Sequence, residues 1–374
     1  MRIAILTSVY CAEFGVARVI SSQLPFLVDA GFEIDLYACE LDRALLCSGV
    51  QAVRVPTHLK GLRKSLIAGR YDVIIAHTDP FYQFLTEDDC GAFTIGYEHG
   101  FPPVELCLPE EREARLKEIG NRQGLIYPTL NQIVTISRYG AEYLNWPKAS
   151  VIYNGADHYE RLYKKLCPDV QGPIKILTVT RYRKGEWKYK GLDHIIRLKK
   201  ELGKICQITV VGRGDEDSVR KLNISGINTP GVVTDQELAS YYSECDALVS
   251  FSQWELFNLP LAEAGFAHKP ALVLNLCAHP EVTPFVFDSY ETLRDYLKNS
   301  TRDSLKADGE KMFAYVHTRF RWKQNGEKLV RLIRASCSNP RFNRPMFSKK
   351  VLWAFWNFRE YLRQNLYKKW KKRP

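Results

Sequence analysis

Short continuous apolar runs, separated by amphipathic stretches, set the pattern of the first half of the chain. The runs lie at residues 2–8, 33–38, 52–55, 71–76, 92–97, 132–136 and 150–153. Continuous runs, rather than alternating ones, predict strands covered on both faces, as in a parallel sheet. Between the first two, Val16, Val19, Ile20, Leu24, Leu27 and Val28 recur at helical spacing, and Gly31 ends the helix. The second half repeats the scheme without a sequence repeat, with strands expected at 174–180, 207–211, 247–251 and 271–274. The expected class is α/β, in two Rossmann-like doubly wound domains. A chain of 374 residues suits two domains. The seam falls near residues 154–173, where Tyr153-Asn-Gly-Ala-Asp157 supplies turn residues and Gln171-Gly-Pro173 precedes the next strand.

The most informative stretch is Phe251-Ser-Gln-Trp-Glu-Leu-Phe-Asn-Leu-Pro-Leu-Ala-Glu-Ala-Gly-Phe266. It follows an apolar strand run and carries two carboxylates, Glu255 and Glu263. Pro260 marks the first turn of a helix, a position where its missing N–H costs nothing. Glu255 therefore lies in the loop at the carboxyl end of a strand and Glu263 near the helix start, where open parallel sheets bind ligands. Carboxylates accept hydrogen bonds from hydroxyls, and helix-start N–H groups receive anionic oxygens. A phosphorylated, polyhydroxylated ligand uses both.

Other points along the chain carry compatible chemistry. Thr180-Arg181 ends the strand that opens the second half, and Lys190-Gly191 opens a helix, with Lys184-Gly185 as a competing match. Arginine grips two anionic oxygens in a fork, and lysine is a movable point charge. Gly15 stands between a strand and a helix, and Val211-Gly212-Arg-Gly214 follows another strand. His99 lies in Tyr97-Glu-His99-Gly100; the other seven histidines show no metal-ligand spacing.

In this order, these segments resemble the retaining GT-B glycosyltransferases of family 4 (glycosyl transferases group 1), whose Glu-x7-Glu motif matches Glu255 and Glu263. The resemblance covers most of residues 1–336. It implies two Rossmann-like domains facing a cleft: an acceptor-side domain at 1–156, a nucleotide-sugar-binding domain at 172–316 and a crossover helix at 317–336. It also implies retaining transfer of a sugar, of hexosyl type, from a nucleotide-diphosphate donor to a glycan or lipid-linked acceptor, in cell-envelope polysaccharide or lipopolysaccharide synthesis. His99, Arg181, Lys190 and Glu255 are the implied catalytic residues. Gly15, Gly212, Glu263 and the backbone of Phe257, Asn258 and Leu259 are the implied donor contacts, with Val233-Thr234 near the base. The leaving phosphate itself would take the acceptor's proton. Asp157 matches an interdomain Asn-Gly-x-Asp segment and reads as a hinge turn. The chain departs from the family where it has Leu256 and Asn258 in place of glycines, which restricts the turn. That change motivates an alternative, a nucleotide-sugar-binding protein without turnover.

Charge and cysteine content narrow the picture further. Residues 340–374 carry eleven Lys or Arg against one acid, Glu360, so this tail holds nearly all of the net +11 and the body is close to neutral. Residues 348–370 read as a helix, with Val351, Leu352, Phe355, Phe358, Leu362 and Leu366 on one face. Trp353, Trp356, Trp370, Tyr361 and Tyr367 flank that face. Such a helix suits an anionic membrane surface through 348–374, or packing on the chain's own first domain. No nucleic-acid module accompanies it, so no nucleic-acid partner is expected. The ten cysteines form no Cys-x-x-Cys pair, which suits reduced thiols in a cytoplasmic protein, peripheral on the inner membrane face if the tail docks there. There is no signal-peptide pattern and no run of membrane-spanning length. Asp88-Asp89 and Asp215-Glu-Asp217 resemble metal pairs only superficially, and Asp215 reads as a helix cap. Since Arg181 and Lys190 would neutralise the leaving group, neither metal nor cofactor is expected.

Overall fold

The computed structural model describes residues 1–87, 90–146, 148–164 and 172–338. The first half runs β1 (Arg2–Tyr10), α1 (Gly15–Asp29), β2 (Glu33–Leu41), β3 (Val50–Arg54), α2 (Leu62–Gly69), β4 (Val73–Ala76), α3 (Phe81–Glu87) and β5 (Phe93–Glu98). It continues through α4 (Arg112–Asn121), α5 (Tyr127–Thr129), β6 (Gln132–Thr135), α6 (Arg138–Tyr143) and β7 (Ser150–Val151). Its seven strands form one sheet in the order β3-β2-β1-β4-β5-β6-β7, with every pairing parallel.

The second half runs β8 (Ile174–Val179), α7 (Lys184–Trp187), α8 (Leu192–Leu202), β9 (Cys206–Val211), α9 (Glu216–Ile224), β10 (Asn228–Gly231), α10 (Asp235–Glu244) and β11 (Ala247–Ser250). Then come α11 (Leu259–Phe266), β12 (Ala271–Leu274), α12 (His279–Val282), β13 (Val286–Phe287), α13 (Tyr290–Asn299), α14 (Arg302–His317) and α15 (Trp322–Ser338). Its sheet has six strands in the order β10-β9-β8-β11-β12-β13, also all parallel.

Each expected strand is present within a few residues. β1 and β2 outrun their apolar cores because parallel pairing carries on to Val9↔Glu40 and Tyr10↔Leu41. Two strands escaped the sequence reading. β10 reads Asn-Thr-Pro-Gly; it is an edge strand, where a proline costs no ladder bond and no apolar run is needed. β13 is two residues long and lies at the other edge.

Continuous apolar runs have the predicted cause. Along β1, Ile3 and Ile5 join a core with Val19, Ile20, Leu24 and Leu27 of α1. Ala4 and Leu6 point to the opposite face and pack with Phe81 and Leu85 of α3. In the second sheet, Ile176, Ile208 and Val249 meet α8 and α13. Leu177, Leu248 and Val273 on the other face belong to the core that continues into the first half.

The final helix ties the halves together. A Cβ on Gly326 of α15 would lie 2.4 Å from Phe26 of α1, so the two helices touch backbone to ring. Asn325 donates to the Tyr153 carbonyl at 2.8 Å and accepts from Gln23 of α1 at 2.9 Å. Asp157 accepts from the Trp322 N–H at 2.8 Å, capping the start of α15. This is a structural role, in keeping with a hinge turn. The tail helix read at 348–370, with Asp88, Asp89 and Cys167, lies outside the described residues.

Candidate functional site

Parallel sheets collect their loops at the carboxyl ends of the strands. The loop after β11 carries Glu255, and that after β8 leads through Arg181 to Lys190. Gly191 ends the latter loop with φ 67°, and a Cβ there would lie 2.2 Å from the Phe251 carbonyl oxygen. Only glycine lets the chain press so closely on the β11 loop, and the contact seats the preceding Lys190 against Glu255. Lys190 Nζ lies 2.5 Å from Glu255 Oε1, and Ser252 Oγ donates to the same oxygen at 2.9 Å. Burial works to raise the Glu255 carboxyl, but the Lys190 charge and hydrogen bond, helped by His279 and Ser252, hold it below its ordinary value.

The two candidate lysines part company in the structure. Lys184 gives its backbone N–H to Asp215 at 2.6 Å, and its side chain lines a surface cavity with Trp187 and Lys221. Lys190 is the one brought to Glu255. Arg181 is about half exposed, and its Nε lies 2.9 Å from Glu186 Oε1.

Within the main motif, Asn258 adopts φ 65° at the N-cap of α11, in the left-handed region that glycine reaches most freely. Asparagine tolerates that region better than most residues. Leu259 is the first residue of α11 and Phe257 is buried, edge-on to Phe320. Leu256 is buried between the halves: a Cβ on Gly100 would lie 2.5 Å from its Cδ1, and one on Gly140 3.5 Å away. Trp254 closes the same gap, with its ring 5.4 Å from that of Tyr143.

Glu263 lies near the start of α11 but is closed off from solvent. It is the fifth residue of α11, and it is buried. Tyr242 donates to its Oε2 at 2.5 Å, and His158 Nε2 stands 3.1 Å from its Oε1. Trp322 Nε1 donates to His158 Nδ1 at 3.1 Å, which places the imidazole proton on the nitrogen facing Glu263. Sequence reasoning missed Tyr242 and His158, since neither sits in a motif.

On the first-domain side, His99 follows β5 and is partly exposed. Its Nε2 lies 2.9 Å from Nδ1 of His77, a buried residue just past β4, and both rings stack with Tyr97. Burial pushes both imidazoles below their ordinary value. Next to His99, Glu98 is buried against Arg122, which also holds Asp79 at 2.5 Å. His77 was invisible as a partner because it precedes His99 by twenty-two positions and joins it only through the neighbouring strands β4 and β5.

The glycines differ in kind. Gly15 opens α1 with open space around it. Gly212 has φ 137°, a Cβ there would fall 2.0 Å from the Thr180 carbonyl oxygen, and its N–H is already given to Gly231 at 2.9 Å. Its glycine is thus demanded by the meeting of two loops. Thr234 caps α10 in a box with Glu237, and Asp215 caps α9 by accepting from Ser218 at 2.9 Å. Among the ion pairs that cross between the halves, Arg18 of α1 holds Asp235 of α10 at 2.6 and 2.7 Å, and Arg213 pairs with Glu13. Among the described residues, no cluster of His, Cys, Asp and Glu could hold a metal ion, and no helix is long and apolar enough to cross a membrane.

Two facing Rossmann-like domains with a helix returning to the first make this a GT-B fold. Residues 173–293 match the family model of the glycosyl transferases group 1. Solved structures agree over nearly the whole chain. HepE of Anabaena, in complex with UDP and glucose, superposes with a TM-score of 0.70 at 15% identity, over 90% of this chain and 100% of that one. Sucrose-phosphate synthase of Thermosynechococcus elongatus gives 0.72 at 16%, over 89% and 98%. WaaG, a glycosyltransferase involved in lipopolysaccharide biosynthesis, gives 0.67 at 14%, over 88% and 99%. By sequence, the chain is 31% identical over 143 residues to an uncharacterized 41.2 kDa protein in the cps region of Klebsiella pneumoniae, a match that spans 36% of this chain and 38% of that protein.

Proposed function

We propose that this chain is a retaining glycosyltransferase that moves a sugar, of hexosyl type, from a nucleotide-diphosphate donor to a glycan or lipid-linked acceptor. The observation that carries the reading is the convergence of Glu255, Lys190 and Arg181 at the carboxyl edge of the second sheet. Arg181 and Lys190 neutralise the diphosphate as negative charge builds on it, without a metal. Glu255 holds sugar hydroxyls. His99 faces the sugar from the first domain through Nδ1, since His77 occupies its Nε2. Gly15 and the turn at Phe257, Asn258 and Leu259 lie along the donor, with Gly212 setting the loop geometry. Glu263 shapes the ribose end through Tyr242 and His158 rather than as an open acid. The leaving phosphate takes the acceptor's proton on the same face, which gives retention.

The acceptor sits on the first-domain side, in a cytoplasmic setting, and the tail docks either on the inner membrane face or on the first domain. The cps-region relative and the lipopolysaccharide role of WaaG support a cell-envelope polysaccharide or lipopolysaccharide as product. The UDP and glucose in HepE support a nucleotide-sugar donor. A second reading, nucleotide-sugar binding without turnover, draws on Leu256, which fills the space beside His99-Gly100.

A thermal-shift screen of UDP-, GDP- and ADP-sugars, followed by hydrolysis and transfer assays with and without acceptor glycans, tests both. Failure of every nucleotide sugar to raise the Tm would end the first reading. Binding with no turnover on any acceptor would favour the second. Transfer is expected to survive EDTA unchanged.

A further inference from the structure

One further stretch of the site lies between Arg181 and Lys190, at residues 182–189. It holds a single acid, Glu186, among the cations Arg183, Lys184 and Lys188. The structure folds part of it into the short turn α7 and lays that turn along the cleft. A Cβ on Gly185 would come within 3.9 Å of both Glu111 and Leu108 of the first domain.

Glu186 is mostly buried and turned toward the cations of the site. Its Oε1 lies 2.9 Å from Arg181 Nε and accepts a long hydrogen bond, 3.4 Å, from Tyr189 Oη. Its Oε2 is buried without a hydrogen-bond partner. The Tyr189 ring lies 5.2 Å from Lys190 Nζ, and Lys190 rests on Glu255. Each cation is thus held by a carboxylate of the chain itself, and Tyr189 links the two pairs.

We propose that Glu186 is an internal stand-in for the donor diphosphate: it holds Arg181 while the cleft is empty, yields it to the incoming anion, and so sets donor affinity. The proposal rests on reading Arg181 as a diphosphate contact. Two features make the exchange easy. A half-exposed arginine is screened by water, so the pair is weak. A buried carboxylate oxygen with no donor gains nothing by staying. A diphosphate brings more charge and more acceptor oxygens than one carboxylate, and a guanidinium prefers it.

Calorimetric titration with UDP, ADP and GDP, and with uridine as a phosphate-free control, tests the idea on the full chain. Glu186→Gln is expected to tighten nucleoside diphosphate binding about three- to five-fold, the size of a screened ion pair, and to leave uridine unchanged. Glu111→Gln removes a charge nearby without freeing Arg181, and is expected to give no such gain. In an Arg181→Ala background the gain from Glu186→Gln should vanish. An equal or weaker affinity in Glu186→Gln, or a gain that persists without Arg181, overturns the proposal. If a diphosphate binds the native chain and Arg181→Ala weakens it while Glu186→Gln is silent, only this inference falls. If no nucleoside diphosphate binds at all, the nucleotide reading falls with it.

Discussion

Lys190 and Glu255 illustrate how a pair proposed for catalysis also holds structure together. Their side chains are only 13% and 17% exposed, so each charge depends on the other. Removing one partner strands the other in a poorly solvated site, a loss of about 3 kcal/mol, whereas removing both is far milder. Lys190→Met is therefore expected to lower the Tm clearly, and Lys190→Met with Glu255→Gln to recover most of it. Chemical denaturation of the native chain and the two variants checks this, and equal losses in the single and double variants would remove the pair from the stability account. Both variants should lose transfer by about 100-fold or more, since the cation acts on developing charge. The histidine pair adds a pH signature. Burial holds His77 and His99 neutral, below the ordinary imidazole value. Below about pH 6.5 the unfolded chain takes up protons that the folded rings refuse, so stability falls as pH drops, by at most about 1.4 kcal/mol per unit for each ring. Melts between pH 7.5 and 5 should show a shallower decline for His77→Asn than for the native chain. Parallel curves would show that the pair does not govern acid sensitivity.

At the level of elements, the turns decide where the side chains land. The β9 and β8 loops cross so closely at Gly212 that any Cβ would meet the Thr180 carbonyl, in a backbone region that L-residues rarely adopt. Gly212→Ala is expected to destabilise by about 2–4 kcal/mol. At the head of α11 the opposite holds. Asn258 already sits at φ 65°, so Asn258→Gly keeps the turn and gives up only two long contacts, to Ser250 at 3.4 Å and to His279 at 3.5 Å. Its stability should stay within about 1 kcal/mol of the native chain. Measured together by denaturant unfolding, the two glycine changes separate a position that demands glycine from one that only tolerates its absence. The same turns explain what the sequence did and did not display. Strands with buried faces announced themselves by apolar runs, whereas β10 and β13, at the two sheet edges, had no such need.

At the scale of the whole molecule, the ion pairs of Arg18 and Arg213 clasp the halves beside the proposed donor site. Arg18 donates to both carboxylate oxygens of Asp235, and Arg213 meets Glu13. These pairs are partly exposed and therefore screened by salt, while the core shared through α1 and α15 is apolar and is not. Raising salt from about 0.05 to 0.5 M, where the Debye length falls to a few ångströms, is expected to loosen the cleft without separating the domains. Small-angle scattering should show a modest rise in the radius of gyration that is absent in Arg18→Ala with Arg213→Ala. A salt-insensitive native profile would leave the clasp without a role in closure.

The sequence by itself determined the parallel α/β class, the two-half organisation, most of the strands and the loops that carry Glu255, Arg181, Lys190 and His99. Those features are local: apolar runs, helical spacing and turn residues act over a few positions. Only the tertiary structure decided that Lys190 rather than Lys184 meets Glu255, that Glu263 is sealed behind Tyr242 and His158, and that His77 engages His99. It alone brought Arg18 to Asp235, 217 positions away. Such partners are chosen by sheet order and by how the two halves meet, and no short-range pattern in the chain encodes that distance.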